Sequence, residues 1–181
     1  MKFCSQCGRP VTQRTPAGDN RPRHICEHCE TIHYQNPKIV TGCLPVWQDK
    51  ILLCKRAIEP RYGLWTLPAG FMENDESLEQ AAERESLEEA NANLSIESLY
   101  TVISLPHVNQ VYIVFRARLN DLNFAPGIES LEVELFDEAD IPWNELAFGT
   151  IQMTLKLFFE DRRHGIFPVH TRTIDSRNRP D

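Results

Sequence analysis

Cysteines at positions 4, 7, 26 and 29 stand as two Cys-x-x-Cys knuckles separated by a polar stretch rich in Gly, Pro and Arg. Two such turns can set four thiolates at the corners of a tetrahedron, the arrangement that structural zinc prefers. With Cys4, Cys7, Cys26 and Cys29 as ligands no coordination position remains for water, so the expected Zn2+ is structural, not catalytic. A segment this short has almost no core, and metal binding must then supply much of its folding energy. A redox pair or disulfides are the alternative. The chain opens on charged and cysteine residues with no apolar stretch suited to export, which favours reduced thiols and a cytoplasmic setting. Histidines 24, 28 and 33 beside the knuckles read as surface or packing residues.

Beyond Pro37 the pattern changes. A length of 181 residues at 41% hydrophobic composition allows one full core besides the cysteine-rich head. Ile39 to Trp47 and Ile51 to Cys54 read as two strands joined by a turn at Gln48–Lys50. Ser77 followed by Gln80 is a capping-box signature, and the stretch to about Ala90 lacks Gly, Pro and β-branched residues, which predicts a helix. Strand-like runs follow at 96–105, 108–119 and 131–136. The apolar spacing of Ile151, Leu155, Phe158 and Phe159, with Gly165 as a stop, predicts a second helix over 150–164. Strands, a helix, more strands and a closing helix imply an α/β class in which a mixed sheet is packed between helices.

Charge limits the function. The net charge is −7, and residues 1–38 hold six Lys or Arg against three Asp or Glu, so the head is mildly basic and the body strongly acidic. A protein built to coat nucleic acid needs a basic surface, and nucleic acid is not expected as a partner. No membrane association is expected either. On the first helix Leu78, Ala81 and Ala82 share one side at about 100° per residue, and Glu85, Glu88 and Glu89 continue it. Glutamates so spaced repel one another, and facing a protein body would raise their pKa values. A divalent cation such as Mg2+ or Mn2+ removes both penalties. A solvated acidic face is the alternative.

The wider spacing carries a resemblance that bears on the choice. Gly70, Glu76 and Arg84-Glu85-Ser86-Leu87-Glu88-Glu89, entered through Gly63-Leu64-Trp65-Thr66-Leu67-Pro68-Ala69, resembles the Nudix box. Asn91 stands where that family usually has glycine, and Ser86 where it usually has an aliphatic residue. Asn tolerates the left-handed conformation that ends a helix, so the first departure is mild; the second suggests looser packing there. The cysteine knuckles, His33-Tyr34-Gln35-Asn36-Pro37, Leu105-Pro106-His107 and Glu129-Ser130-Leu131-Glu132 are similar to zinc-ribbon Nudix proteins of the FAD and ADP-ribose pyrophosphatase kind.

The resemblance implies a Nudix α/β/α sandwich over residues 36–170, a zinc ribbon over 1–35 and a flexible tail over 171–181. It also implies metal binding by Glu85, Glu88, Glu89 and the Gly70 carbonyl, with Glu76 and Arg84 paired to hold the loop on the helix. Glu88, Glu89 or Glu132 is expected to act as base. Arg56 and Arg61 are candidates for phosphate oxygens, with a surface role as the alternative; Trp65 is a candidate for substrate contact, with a core position as the alternative, and His107 is a further candidate for substrate contact. The implied reaction splits the pyrophosphate of a nucleotide derivative, FAD or ADP-ribose, into two monophosphates in a homodimer. An NADH pyrophosphatase ranks second, because the Ser-Gln-Pro-Trp-Pro-Phe-Pro signature of that group is absent. A nucleotide- or RNA-binding module without turnover is the reading from another class.

Overall fold

Residues 40–45 are buried without interruption, which requires a sheet covered on both faces. The computed structural model describes residues 1–175, and the chain divides into two compact units, Met1–Pro37 and Lys38–Asp181.

The first unit is a three-stranded antiparallel sheet, β1 (Thr12–Arg14), β2 (Arg23–Ile25) and β3 (Ile32–His33), with the cysteine knuckles on its turns. Its buried side chains are Cys4, Ile25, Cys26 and His33. One isoleucine contributes roughly 1.5–3 kcal/mol on burial, far below what ordering such a segment costs.

The second unit contains β4 (Lys38–Trp47), β5 (Lys50–Arg56), β6 (Trp65–Thr66), β7 (Ala69–Phe71), α1 (Leu78–Ala90), β8 (Leu94–Leu105), β9 (Gln110–Leu119), β10 (Ser130–Phe136), α2 (Gly149–His164) and β11 (His170–Thr173). The mixed sheet runs β10-β5-β4-β9-β8-β11, with β6 on β5 and β7 on β4. At its centre β4 and β9 lie parallel, from Lys38 opposite Gln110 to Val46 opposite Arg118. Successive strand residues point to opposite faces. Cys43, Phe115 and Ala117 therefore meet Ala82 of α1, while their neighbours Leu44 and Val114 meet Ile151, Leu155 and Phe158 of α2 on the other side. The result is the expected α/β/α sandwich.

Both helices end as their sequences dictate. Ser77 accepts from the Gln80 N–H while the Gln80 side chain accepts from the Ser77 N–H, and Asn91 closes α1 in the left-handed region at φ 47°. Gly165 closes α2 at φ 68°. Ser86 is not loosely placed: it is fully buried, and its hydroxyl donates to the Ala82 carbonyl at 2.8 Å.

Two expectations change. Val108 belongs to a 3-10 turn over Pro106–Val108, not to a strand, because Pro106 breaks the run and Asn109 follows at φ 52°. Thr171 to Thr173, assigned to a flexible tail, lie in β11, which pairs in parallel with β8. The outer edge of β8 offers unpaired backbone groups there, and His170 and Tyr100 both hydrogen-bond Asp161 Oδ2 at 2.7 Å, tying β11 and β8 to α2. The end of the tail, 176–181, lies outside the described residues. Among the described residues no helix is long and apolar enough to cross a membrane.

Candidate active site

The loop from β7 into α1 is fixed by one arginine. Arg84 grips both oxygens of Glu76 at 3.0 and 2.8 Å and reaches back to the Phe71 carbonyl at 3.1 Å. The Arg84 guanidinium, and then the Glu73 N–H, hold the Glu76 carboxyl down at about 2. Arg84 also contacts Glu85 at 2.7 Å and Glu88 at 3.3 Å, so it orders the acidic face of the helix as well as the loop.

The three glutamates of that face are not equivalent. Glu85 and Glu89 are buried, at 8% and 6% exposure, whereas Glu88 stands at the open margin of the stripe. Burial pushes the Glu89 carboxyl up to about 8, against the lowering effect of the Ala69 N–H that donates to it at 3.1 Å. Burial also raises Glu85, and Arg84 offsets part of that rise. Gly70 is small for a reason: a Cβ there would fall 2.3 Å from the Glu85 carboxylate. Oxygen donors of this kind, on one helix face and open to a cavity, are the type that a hard divalent cation accepts.

That cavity has a volume of about 1220 Å³ and is walled by Gly70, Arg84, Glu85, Glu88 and Glu89, and also by Arg56, Tyr112, Phe148 and Glu129. Arg56 is buried, donates from Nε to the Pro60 carbonyl at 2.9 Å, and lies over the Phe148 ring at 5.2 Å from its centroid. Phe148 and Tyr112 have centroids 6.5 Å apart. The wall thus joins anionic, cationic and aromatic surfaces, which suits a ligand with phosphates and a flat ring.

Four sequence candidates lie elsewhere. Glu132 is not in the cavity wall: β10 sets it opposite Lys55, whose Nζ donates to it at 2.7 Å. Trp65 is a core residue, 5% exposed and edge-on to Phe136 at 4.9 Å. Arg61 and His107 are exposed on loops and do not line the cavity. The carboxylate that does join the cluster is Glu129, whose charge raises both Glu85 and Glu89. The β10 ladder shifts register between Ser130 and Glu132, so counting back along an ideal strand does not reveal which glutamate turns inward.

In the ribbon, the sulfurs of Cys4, Cys7, Cys26 and Cys29 all lie within 4.8 Å of one another. His33 Nε2 approaches Cys4 Sγ at 3.3 Å, and the Gln6 N–H donates to the same sulfur at 3.4 Å. Four sulfurs this close, with the Gln6 N–H donating to one of them, form a donor set that fits a bound zinc.

A loop-helix-loop that presents carboxylates to a nucleotide-sized cavity, in a chain that also carries a thiol-rich ribbon, defines the class to which this chain is assigned. The NUDIX domain model matches residues 36–155, and the model described as Nudix N-terminal, a zinc ribbon, matches residues 2–35. The chain belongs to the Nudix family. A solved NUDIX hydrolase from Nitrosomonas europaea is 60% identical with a TM-score of 0.95, covering 97% of this chain and 100% of that one. Relatives named NAD-capped RNA hydrolase NudC include one from Edwardsiella ictaluri, 36% identical over 107 residues, and one from Salmonella typhi, 36% identical over 108. Each match covers 58% of this chain but only 38% of the relative. An ADP-ribose pyrophosphatase from Streptococcus suis, 23% identical with a TM-score of 0.60, covers 77% of this chain and 100% of its own and shares the fold. The expectation that a nucleic-acid partner is unlikely finds no support among the NudC relatives, which are named for hydrolysis of NAD-capped RNA.

Proposed function

We propose that this chain hydrolyses the pyrophosphate bridge of a nucleotide derivative with an ADP half, a dinucleotide or ADP-ribose, giving two monophosphates. The observation that carries the reading is the single cavity in which Glu85, Glu88, Glu89 and Glu129 share a wall with Arg56, Tyr112 and Phe148. A dinucleotide needs both parts, the carboxylates for its diphosphate and the aromatic and cationic surface for a base.

Glu85, Glu88, Glu89 and the Gly70 carbonyl are the residues that would hold Mg2+ or Mn2+. Such cations, when bound, neutralise charge building on the diphosphate and make a bound water acidic. The chain's own residues do the rest. Arg84 fixes the loop and helix to each other, Arg56 pairs with phosphate oxygens, and Glu129 takes the proton from the attacking water. Tyr112 and Phe148 bracket the base. Zn2+ in the ribbon is structural.

NADH stands beside FAD and ADP-ribose as a candidate, since the NudC relatives are named for an NAD cap. Purified protein offered NADH, NAD+, FAD, ADP-ribose, nucleoside triphosphates and NAD-capped RNA, with magnesium and with manganese, is expected to release AMP from a dinucleotide. Chromatography of the products reads the result. A far higher kcat/KM for nucleoside triphosphates than for every dinucleotide would overturn the substrate class.

For the ribbon, metal analysis is expected to find one zinc per chain, lost in Cys26→Ser. Hydrogen exchange over residues 1–35 then rises toward the unfolded rate, with the body protected as before. A purified protein that keeps a protected ribbon without zinc would contradict this.

A further inference from the structure

The loop before β10 hangs from the last turn of α1. The Ala125 N–H donates to the Ala90 carbonyl at 2.9 Å and the Gly127 N–H to the Glu89 carbonyl at 3.0 Å. Gly127 is seated so tightly that a Cβ would fall 1.7 Å from the Glu88 carbonyl oxygen. The Ser130 N–H then donates to the Gly127 carbonyl at 3.1 Å, closing the turn in which Glu129 sits. The helix residues that present Glu88 and Glu89 thus help fix where Glu129 stands, together with the Ala57 N–H, which donates to the Glu129 carbonyl at 2.8 Å.

One side chain completes this joint. Asn91 Nδ2 donates to the Ala125 carbonyl at 3.1 Å and points toward the Pro126 carbonyl at 3.5 Å. Its backbone is in the left-handed region, where glycine is the usual residue and asparagine the commonest substitute. A glycine would end the helix equally well but has no amide to reach the loop. The helix stop and the tether are therefore separable.

We propose that Asn91 is a positioning residue, whose side-chain amide holds the Ala125–Glu129 loop so that Glu129 meets Glu85 and Glu89 across the cavity. The proposal rests on the hydrolase reading for Glu129's role. A misplacement of about 1 Å at a reacting group costs up to about a hundredfold in rate, and loss of one of several tethers is expected to cost less.

The test separates tether from helix stop. In Asn91→Gly, with full-length protein loaded with zinc and magnesium, kcat on the best dinucleotide is expected to fall about tenfold, with KM within about twofold and Tm nearly unchanged. Amide exchange over residues 124–130 is expected to quicken while the β4 and β9 amides keep their protection. Asn91→Asp, which keeps the shape and turns a donor into an acceptor facing a carbonyl, should lose at least as much. Wild-type kcat in Asn91→Gly, a loss that appears only in KM, or unchanged exchange at 124–130 would overturn the proposal. If the wild-type protein cleaves no dinucleotide, the substrate reading has failed instead, and the exchange result alone decides the tether.

Discussion

Glu89→Gln and Glu85→Gln are each expected to lower turnover at least about a hundredfold, the scale of losing one strong electrostatic stabiliser at a reacting centre, while the fold is retained. The structure separates the two halves of that statement. Glu89 is 6% exposed and, among the described residues, its carboxylate accepts a hydrogen bond from the Ala69 N–H alone, at 3.1 Å. A neutral amide of the same shape can accept that bond, so packing is preserved. In metal-free protein the change should stabilise. A carboxyl raised to about 8 in the fold has an ordinary value of about 4.3 when unfolded. The folded state therefore holds the extra proton between these values, and stability falls as pH rises through the window. Glutamine has no proton to lose. Metal-free Glu89→Gln should thus melt a few degrees above the wild type at pH 8 and close to it near pH 4, and added magnesium or manganese should reverse the order at pH 8. Undiminished kcat in both variants would sink the metal assignment, whatever the melting curves show.

What the sequence makes legible is what depends on local spacing. The capping box at Ser77 and Gln80, the left-handed Asn91 and the Glu76–Arg84 pair all rest on short offsets, and each is present in the structure. The four cysteines meet because two knuckles bring their sulfurs together. Helix periodicity places Glu85 and Glu89 on the buried stripe, but it does not show that Glu88 stands in the open. Long-range placement is harder. Trp65 has the look of a substrate-stacking residue beside a glycine loop, yet β6 turns it toward Phe136 and the α2 layer. Phe148 lies far from the box along the chain, and nothing short of the closed sheet reveals that it faces Arg56. β11 is too short and polar to carry a strand signal of its own. It exists because β8 has a free edge and Asp161 a place for His170.

Glu129→Gln is expected to lower kcat at least about a hundredfold, as loss of a positioned base does, whereas Glu132→Gln should leave it within about threefold. By sequence Glu132 is a candidate base, while Glu129 has no role beyond belonging to the same Glu-Ser-Leu-Glu motif. In the structure Glu132 is bound to Lys55 at 2.7 Å with its side chain 47% exposed, a surface pair worth at most about 1 kcal/mol. Glu129 instead lines the cavity with Glu85 and Glu89 and shares their field. A third variant tests whether location, and not charge alone, matters. Gly127→Ala puts a methyl 1.7 Å from the Glu88 carbonyl oxygen, a backbone atom that cannot swing aside. The loop must lift from α1, carrying an intact Glu129 away from the cluster. Gly127→Ala should therefore approach Glu129→Gln in kcat and also lose Tm, and combining the two should cost little more turnover than either alone, because both remove the same group from the same place. Equal activity of Glu129→Gln and the wild type, or a Glu132→Gln variant as impaired as Glu129→Gln, would return the base to the outer strand and remove Glu129 from the mechanism.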